Sequence, residues 1–373
     1  MNSSILSFFG FTAPKRERGI LINLAIFLLA ALGLFGGPVR AQTPSFQPML
    51  LSFDSSQDRL FATSPSDDRK GTQLIVFSHP GRKGTGPGAS LTFPGVLSGL
   101  FYHSGSKTLF ASDATGHALL IFDRFDPLVT TRASRIVRRF NFPTGLYAAG
   151  GRLFIADAHP GALLVFEKAA EIDGTRRPDR TIGPEGSGLN GPFAIAADPD
   201  RGRLYVSNFD GVLDFNLSDL SAPPDRLPLP RGTLARGLAF DPRSKRLFIA
   251  APMDRSYFVY DGAQLTRVRL QEAAGSFPFS ISVDSEGNRL YLAGISREIG
   301  IIEQASGDLP EKKERVIDRW IRWDRAAPPE EEPAPAPNAP AVIRSPSQPE
   351  ATGPADCAGF PAVRDAFCPA SLP

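Results

Sequence analysis

The stretch PFAIAADPDRGRLYVSNFDGVLDF, Pro192–Phe215, decides how the chain is read. Ala194–Ala197 is a short apolar run, and Asp198-Pro-Asp-Arg-Gly202 is a turn in which Asp supplies a local hydrogen bond and Gly a positive φ. Leu204–Ser207 is a second apolar run, Asn208–Gly211 a second turn and Val212–Phe215 a third run. Runs this short, bounded by turn residues, predict strands and not helices. A fourth, more polar strand is expected near Arg226–Leu229.

Working outward, the same pattern recurs. A Leu-aromatic pair stands at Leu60-Phe61, Leu109-Phe110, Leu153-Phe154, Leu204-Tyr205, Leu247-Phe248 and Leu290-Tyr291, at intervals of 49, 44, 51, 43 and 43 residues. Asp54, Asp198, Asp241 and Asp284 each precede their Leu by six residues, and Pro48, Pro192 and Pro278 by twelve. The second copy has His103 where the Asp belongs, and the third shortens its turn to Gly150-Gly151. Further outer strands are expected at Arg135–Phe140, Asp179–Ile182, Thr266–Leu270 and Val316–Trp323. A period of 40–50 residues with about four strands per unit predicts an all-β, six-bladed β-propeller over residues 44–324. A single blade cannot bury both of its faces, so the units must close into a ring.

The ends differ from this middle. Lys15, Arg16 and Arg18 precede an apolar stretch, Ile20–Phe35, then Gly36-Gly37-Pro38 and Val39-Arg40-Ala41. This predicts a signal peptide over residues 1–41, cleaved after Ala41; the alternative is a retained anchor, since residues 20–39 are just long enough to span a bilayer. Either reading puts the propeller outside the cytoplasm: periplasmic or secreted in the first case, anchored to the inner membrane and facing the periplasm in the second. The formal charge of +2 becomes −1 once residues 1–41 are gone. With near-neutral charge and export, nucleic acid is not an expected partner. Residues 325–373 are expected to form a disordered, Pro-rich tail, ending in a loop closed by a Cys357–Cys368 disulfide in an oxidising compartment.

Pro143-Thr-Gly-Leu, Arg152-Leu-Phe-Ile-Ala-Asp157 and Leu163-Leu-Val-Phe166 resemble an NHL-type repeat, and Pro192–Asn208 resembles NHL or YVTN repeats equally. The resemblance covers about three quarters of the chain. It implies six-bladed architecture and leaves function open, because such propellers serve as binding platforms, lactonases, lyases and scaffolds. The SMP-30/gluconolactonase-like propellers are a distant alternative. That resemblance would imply an axial metal held by Glu, Asn and Asp, but the first blade opens Pro48-Met-Leu-Leu-Ser-Phe, without the Glu.

Candidate chemistry is sparse. Asp157 and Asn208 share one position after the second strand, with Asp113 and Ser64 as counterparts. Such residues can ring a cleft and bind a cation or polar ligand, or bond to the backbone of the turn they open. His117 and His159 fall in equivalent turns of adjacent blades and could approach each other, which makes Asp157, Asn208, His117 and His159 the candidates for a calcium or zinc site. The recurring aspartates lie one per blade, so they cannot converge on one ion and are expected to be turn residues. Arg132, Arg135, Arg138 and Arg139 make a basic stripe that is either a solvated edge or a contact for an anionic envelope partner.

The expectation is therefore a monomeric, exported, non-catalytic binding or scaffolding module of the cell envelope without a cofactor. Its recognition face would be built from the turns after each second strand: Asp113, His117, Asp157, His159, Asn208, Asp210, Asp254 and Arg255. Its partner would be an envelope protein or an anionic or polar ligand, with membrane contact only through residues 20–39 if these are retained. The alternative is a metal-dependent hydrolase or lactonase, in which Ca or Zn polarises a carbonyl or activates water.

Overall fold

The computed structural model describes residues 46–66, 70–271, 277–294, 298–305, 307 and 314–322, all within one compact unit. The segments read as signal or anchor, Pro-rich tail and Cys357–Cys368 loop lie outside the described residues. Six sheets follow one another along the chain. Blade 1 is β1 (Leu51–Asp54), β2 (Arg59–Pro65), β3 (Thr72–Ser78) and β4 (Pro87–Phe93). Blade 2 is β5 (Leu97–His103), β6 (Thr108–Asp113), β7 (Ala118–Phe122) and β8 (Arg135–Arg138). Blade 3 is β9 (Pro143–Ala149), β10 (Arg152–Asp157), β11 (Ala162–Phe166) and β12 (Arg180–Ile182). Blade 4 is β13 (Ile195–Asp198), β14 (Arg203–Asn208), β15 (Gly211–Asn216) and β16 (Asp225–Arg226). Blade 5 is β17 (Leu238–Asp241), β18 (Arg246–Ala251), β19 (Ser256–Tyr260) and β20 (Leu265–Gln271). Blade 6 is β21 (Pro278–Asp284), β22 (Arg289–Gly294) and β23 (Glu298–Glu303), completed by β25 (Arg319–Arg322); β24 (Glu314–Val316) lies between β23 and β25 in sequence. Helix among the described residues is limited to two 3-10 turns, Ala169–Glu171 and Pro252–Asp254.

The repeat is explained by where its two large side chains go. On each second strand, successive residues point to opposite faces of the blade. Every Leu of the pair packs into the interface with the preceding blade and every aromatic into the interface with the following one. Leu153, for example, joins Phe110, Leu119 and Val137 of blade 2, whereas Phe154 joins Leu189, Ile195 and Leu204 of blade 4. Tyr291 of the last blade packs with Leu51 and Leu60 of the first, which closes the ring. A buried side chain of this size contributes roughly 1.5–3 kcal/mol, so each Leu-aromatic pair holds one blade against both neighbours.

Hydroxyls bridge most seams. Ser52 Oγ accepts from the Tyr102 N–H, while Ser98 Oγ donates to Pro143 O, Thr144 Oγ1 to Pro192 O and Ser207 Oγ to Arg236 O. The ring is closed by Leu51 N–H donating to Ser280 Oγ at 3.0 Å. Among the described residues, blades 1 and 6 are each built from their own strands, with none exchanged between the two. Between blades 5 and 6 backbone approaches backbone; a Cβ on Gly237 would sit 2.8 Å from the Ile281 nitrogen.

The single strand expected over Val316–Trp323 is divided. β24 adds to blade 5 parallel to β20, and β25 pairs antiparallel with β23 as the outer strand of blade 6. Ile317 turns inward between them and packs with Val268 and Leu270. The outer strand of blade 1, Pro87–Phe93, emerges from the Gly-rich stretch 84–88 and had no counterpart among the expected outer strands. The outer strand of blade 2 stops at Arg138, so Arg132 and Arg139 lie in the segments flanking it.

Candidate functional site

The six inner strands surround a central channel of about 370 Å³. Its lining is apolar or hydroxylic, with Phe53, Phe101, Tyr147, Phe240, Ile281 and the seam residues Ser52, Ser98 and Ser280 among them, and contains no Asp, Glu, His, Lys or Arg among the described residues. None of Asp157, Asn208, His117 and His159 lines it. Those four lie in or beside the turns between second and third strands, on the ring face where each new blade also begins.

In blades 1, 3 and 4 the side chain at the end of the second strand docks the segment entering its own blade. Ser64 Oγ accepts from Gln47 N–H, Asp157 Oδ2 from Asn141 N–H and Asn208 Oδ1 from Asn190 N–H. Asp157 also takes the N–H groups of Phe142 and His159. Burial pushes its carboxyl above the usual carboxylate range, against the pull of these three donors. Asn208 faces a different set: its Nδ2 donates to Gly188 O at 3.0 Å and to Asp210 Oδ1 at 2.9 Å. Asp113 instead folds over its own turn, accepting from Thr115 N–H, Thr115 Oγ1 and Gly116 N–H. These are the local backbone bonds by which Asx residues stabilise loops.

The structure links two of the candidates. His117 Nδ1 contacts Asn141 O at 2.6 Å, and the N–H of the same Asn141 is held by Asp157, so a single residue connects the blade 2 turn to the blade 3 turn. His117 and His159 are both exposed. Farther round the face, Asp210 pairs with Arg226 at 2.9 Å, Asp254 with Arg267 at 3.5 Å, and the Arg255 guanidinium lies 4.9 Å from the Phe277 ring centroid. Among the described residues no three His, Cys, Asp or Glu side chains are grouped closely enough to share an ion.

The recurring aspartates are turn residues on the opposite face. Asp54 accepts from Ser56 N–H and pairs with Arg59, Asp241 accepts from Arg243 N–H and Ser244, and Asp284 accepts from Gly287 N–H and pairs with Arg289. Arg243 also reaches the next blade's turn, donating to Ser285 O.

One residue near the axis went unnoticed in the sequence. Arg236 enters blade 5 and is 2% exposed, with its guanidinium 4.3 Å from the centre of the Phe193 ring of blade 4. Burial pushes it down to about 9, so it keeps its charge at neutral pH. Its register offers a signal: it occupies the position filled by Phe193 and Phe279 in neighbouring copies, where an arginine is out of pattern.

No protein-family model and no curated protein matches the chain. Among solved structures the chain is similar to the Kuenenia stuttgartiensis hydrazine synthase, at 12% identity over 73% of this chain and 100% of that one, with a TM-score of 0.51. It is also similar to a chain of a nidogen/laminin complex, at 18% identity over 68% of this chain and 94% of that one, with a TM-score of 0.50. At these identities the likeness shows the fold alone, a six-bladed propeller. No helix among the described residues is long and apolar enough to cross a membrane.

Proposed function

We propose that this chain is an exported, monomeric propeller of NHL or YVTN type that acts as a non-catalytic binding or scaffolding module in the periplasm or outside the cell. The observation that carries this reading is the construction of the face bearing the second-to-third-strand turns. The buried Asp113, Asp157 and Asn208 are occupied in holding backbone, which makes the turns rigid. Rigidity there lets His117, His159, Asp210 and Arg255 present polar groups to a partner without an ordering cost at each contact. That partner would be an envelope protein or an anionic or polar ligand.

The test has two arms. The chain purified from Gln42 onward is used for partner capture from envelope extracts, beside a variant carrying His117→Ala, His159→Ala, Asp210→Ala and Arg255→Ala. A partner retained by the parent and lost by the variant, with unchanged thermal stability, supports the reading. The second arm is metal analysis of the same chain and of Asp157→Ala. Stoichiometric calcium or zinc, lost in the variant, overturns it in favour of a metal-dependent hydrolase or lactonase. Export is tested separately, by sequencing the amino terminus of the protein recovered from its native compartment; a start at Gln42 is expected.

A further inference from the structure

Three of the four exposed large hydrophobic side chains among the described residues fall in one short stretch of blade 2: Leu128 at 78% exposed, Val129 at 74% and Ile136 at 41%. Leu128 and Val129 form the tip of the connection between β7 and β8. The tip is closed by its own hydrogen bonds. Asp126 O accepts from the N–H groups of Val129 and Thr130, Asp126 Oδ1 accepts from Leu128 N–H, and Thr130 Oγ1 accepts from Asp126 N–H. A turn bonded in this way holds two large apolar side chains outward in a fixed conformation, with no packing to offset the cost of hydrating them.

The surroundings of the tip are cationic. Arg124 and Arg132 flank it in sequence, and Lys107 is brought beside it by the Phe125 N–H bond to Lys107 O. All three are exposed, and none makes an ion pair with a described residue. The nearby acids are engaged: Asp123 is paired with Arg135, and Asp126 is committed to the turn. Arg135 is turned away from solvent anions in a second respect, donating to Ala170 O and Ile172 O of blade 3.

An apolar pair that projects beyond a rim of net positive charge, Lys107, Arg124 and Arg132 against the carboxylate of Asp126, unpaired among the described residues, suits an interface that is apolar within and anionic at its surface. Amphipathic membrane-surface elements combine these two features. A protein interface more commonly offers a broad patch with aromatic anchors in pockets. We propose that the Leu128–Val129 tip inserts into the headgroup region of an anionic phospholipid bilayer while Lys107, Arg124 and Arg132 engage lipid phosphates. The contact is separate from residues 20–39 and from the proposed recognition face, and it does not depend on either.

The probe is vesicles of equal parts phosphatidylcholine and phosphatidylglycerol, compared with pure phosphatidylcholine, in co-sedimentation at low salt. Every described strand and core residue lies between Phe46 and Arg322, so the chain from Gln42 onward retains the whole ring and removes the apolar leader as a second source of binding. Binding to the anionic vesicles alone is expected. It should fall more than tenfold in Leu128→Ser with Val129→Ser, and about fivefold for each of Arg124→Gln and Arg132→Gln. Met253→Ser, at an exposed large hydrophobic of blade 5, should leave it unchanged. All these sites are exposed, and an unaltered melting temperature confirms that the ring is intact. Equal binding to both vesicle types, no binding to either, or full binding by the Leu128/Val129 variant overturns the proposal; failure to bind lipid leaves the tip to a protein partner.

Discussion

Replacing Asn208 by Asp should be far more damaging than its chemical conservatism suggests, although the equivalent position in the preceding blade is itself an aspartate. Asp157 is surrounded by N–H donors, from Asn141, Phe142 and His159. Asn208 meets one donor, Asn190 N–H, and two acceptors, Gly188 O and Asp210 Oδ1. The substitution keeps the first bond and removes the other two, at roughly 1 kcal/mol each. It also buries a carboxylate at a 1% exposed site beside the Asp210 carboxylate. Partly screened repulsion and desolvation should add about 2 kcal/mol. A total near 4 kcal/mol corresponds to a fall in melting temperature of about 8 °C for a domain of this size.

The sign of the pH effect separates this reasoning from a general loss of packing. The introduced carboxyl keeps a single donor, is buried and faces the Asp210 carboxylate, so its pKa in the folded state lies above the unfolded value of about 4. The folded state then binds the proton more tightly, and the loss is full at neutral pH and shrinks as pH falls through the raised pKa. Asn208→Ala, which introduces no charge, should cost roughly 2–3 kcal/mol without that recovery. Urea unfolding of the parent and both variants at neutral pH and near pH 4.5 gives the differences directly. An Asp variant no worse than the Ala variant at neutral pH, or a difference that does not move with pH, would refute the account.

Further outcomes are expected elsewhere in the ring. Gly99→Ala places a Cβ onto the Thr144 carbonyl oxygen across the blade 2–3 seam, and should destabilise by about 3 kcal/mol in chemical denaturation; a change within 0.5 kcal/mol would show that the blades can part cheaply. Ser280→Ala removes the acceptor of Leu51 N–H at the closing seam, for about 1 kcal/mol. Because no described strand is shared between blades 1 and 6, amide exchange at Leu51 should accelerate more than at Tyr102, where the Ser52 bond is untouched. In alkaline titration followed by tyrosinate absorbance, Tyr147 and Tyr205, each pushed up to about 12 mainly by burial, should remain protonated past the ordinary range near 10. Their protonated form is the one the fold favours, so stability is expected to be complete below pH 10 and to fall as pH rises through 12. Ionisation of all six tyrosines near pH 10 without unfolding would contradict that burial.

The propeller was legible in the linear sequence because its cause is local and repeated. Each second strand carries Leu then an aromatic, adjacent residues of a strand face opposite sides, and both sides of a blade must be covered. The turn aspartates were legible for the same reason, since an Asx residue bonds to backbone two or three positions away. Three features could not be read this way. The partition of residues 314–322 between blades 5 and 6 depends on which neighbouring sheet edge is open, a property of the closed ring. The contrast between Asp157 and Asn208 depends on whether the incoming segment presents donors or acceptors, and that segment lies 15–20 residues away. The exposed tip of blade 2 reads in sequence as two ordinary apolar residues, Leu128 and Val129. Only the tertiary structure shows that the core is filled without them, because local repetition determines what each blade buries but not what the finished ring leaves uncovered.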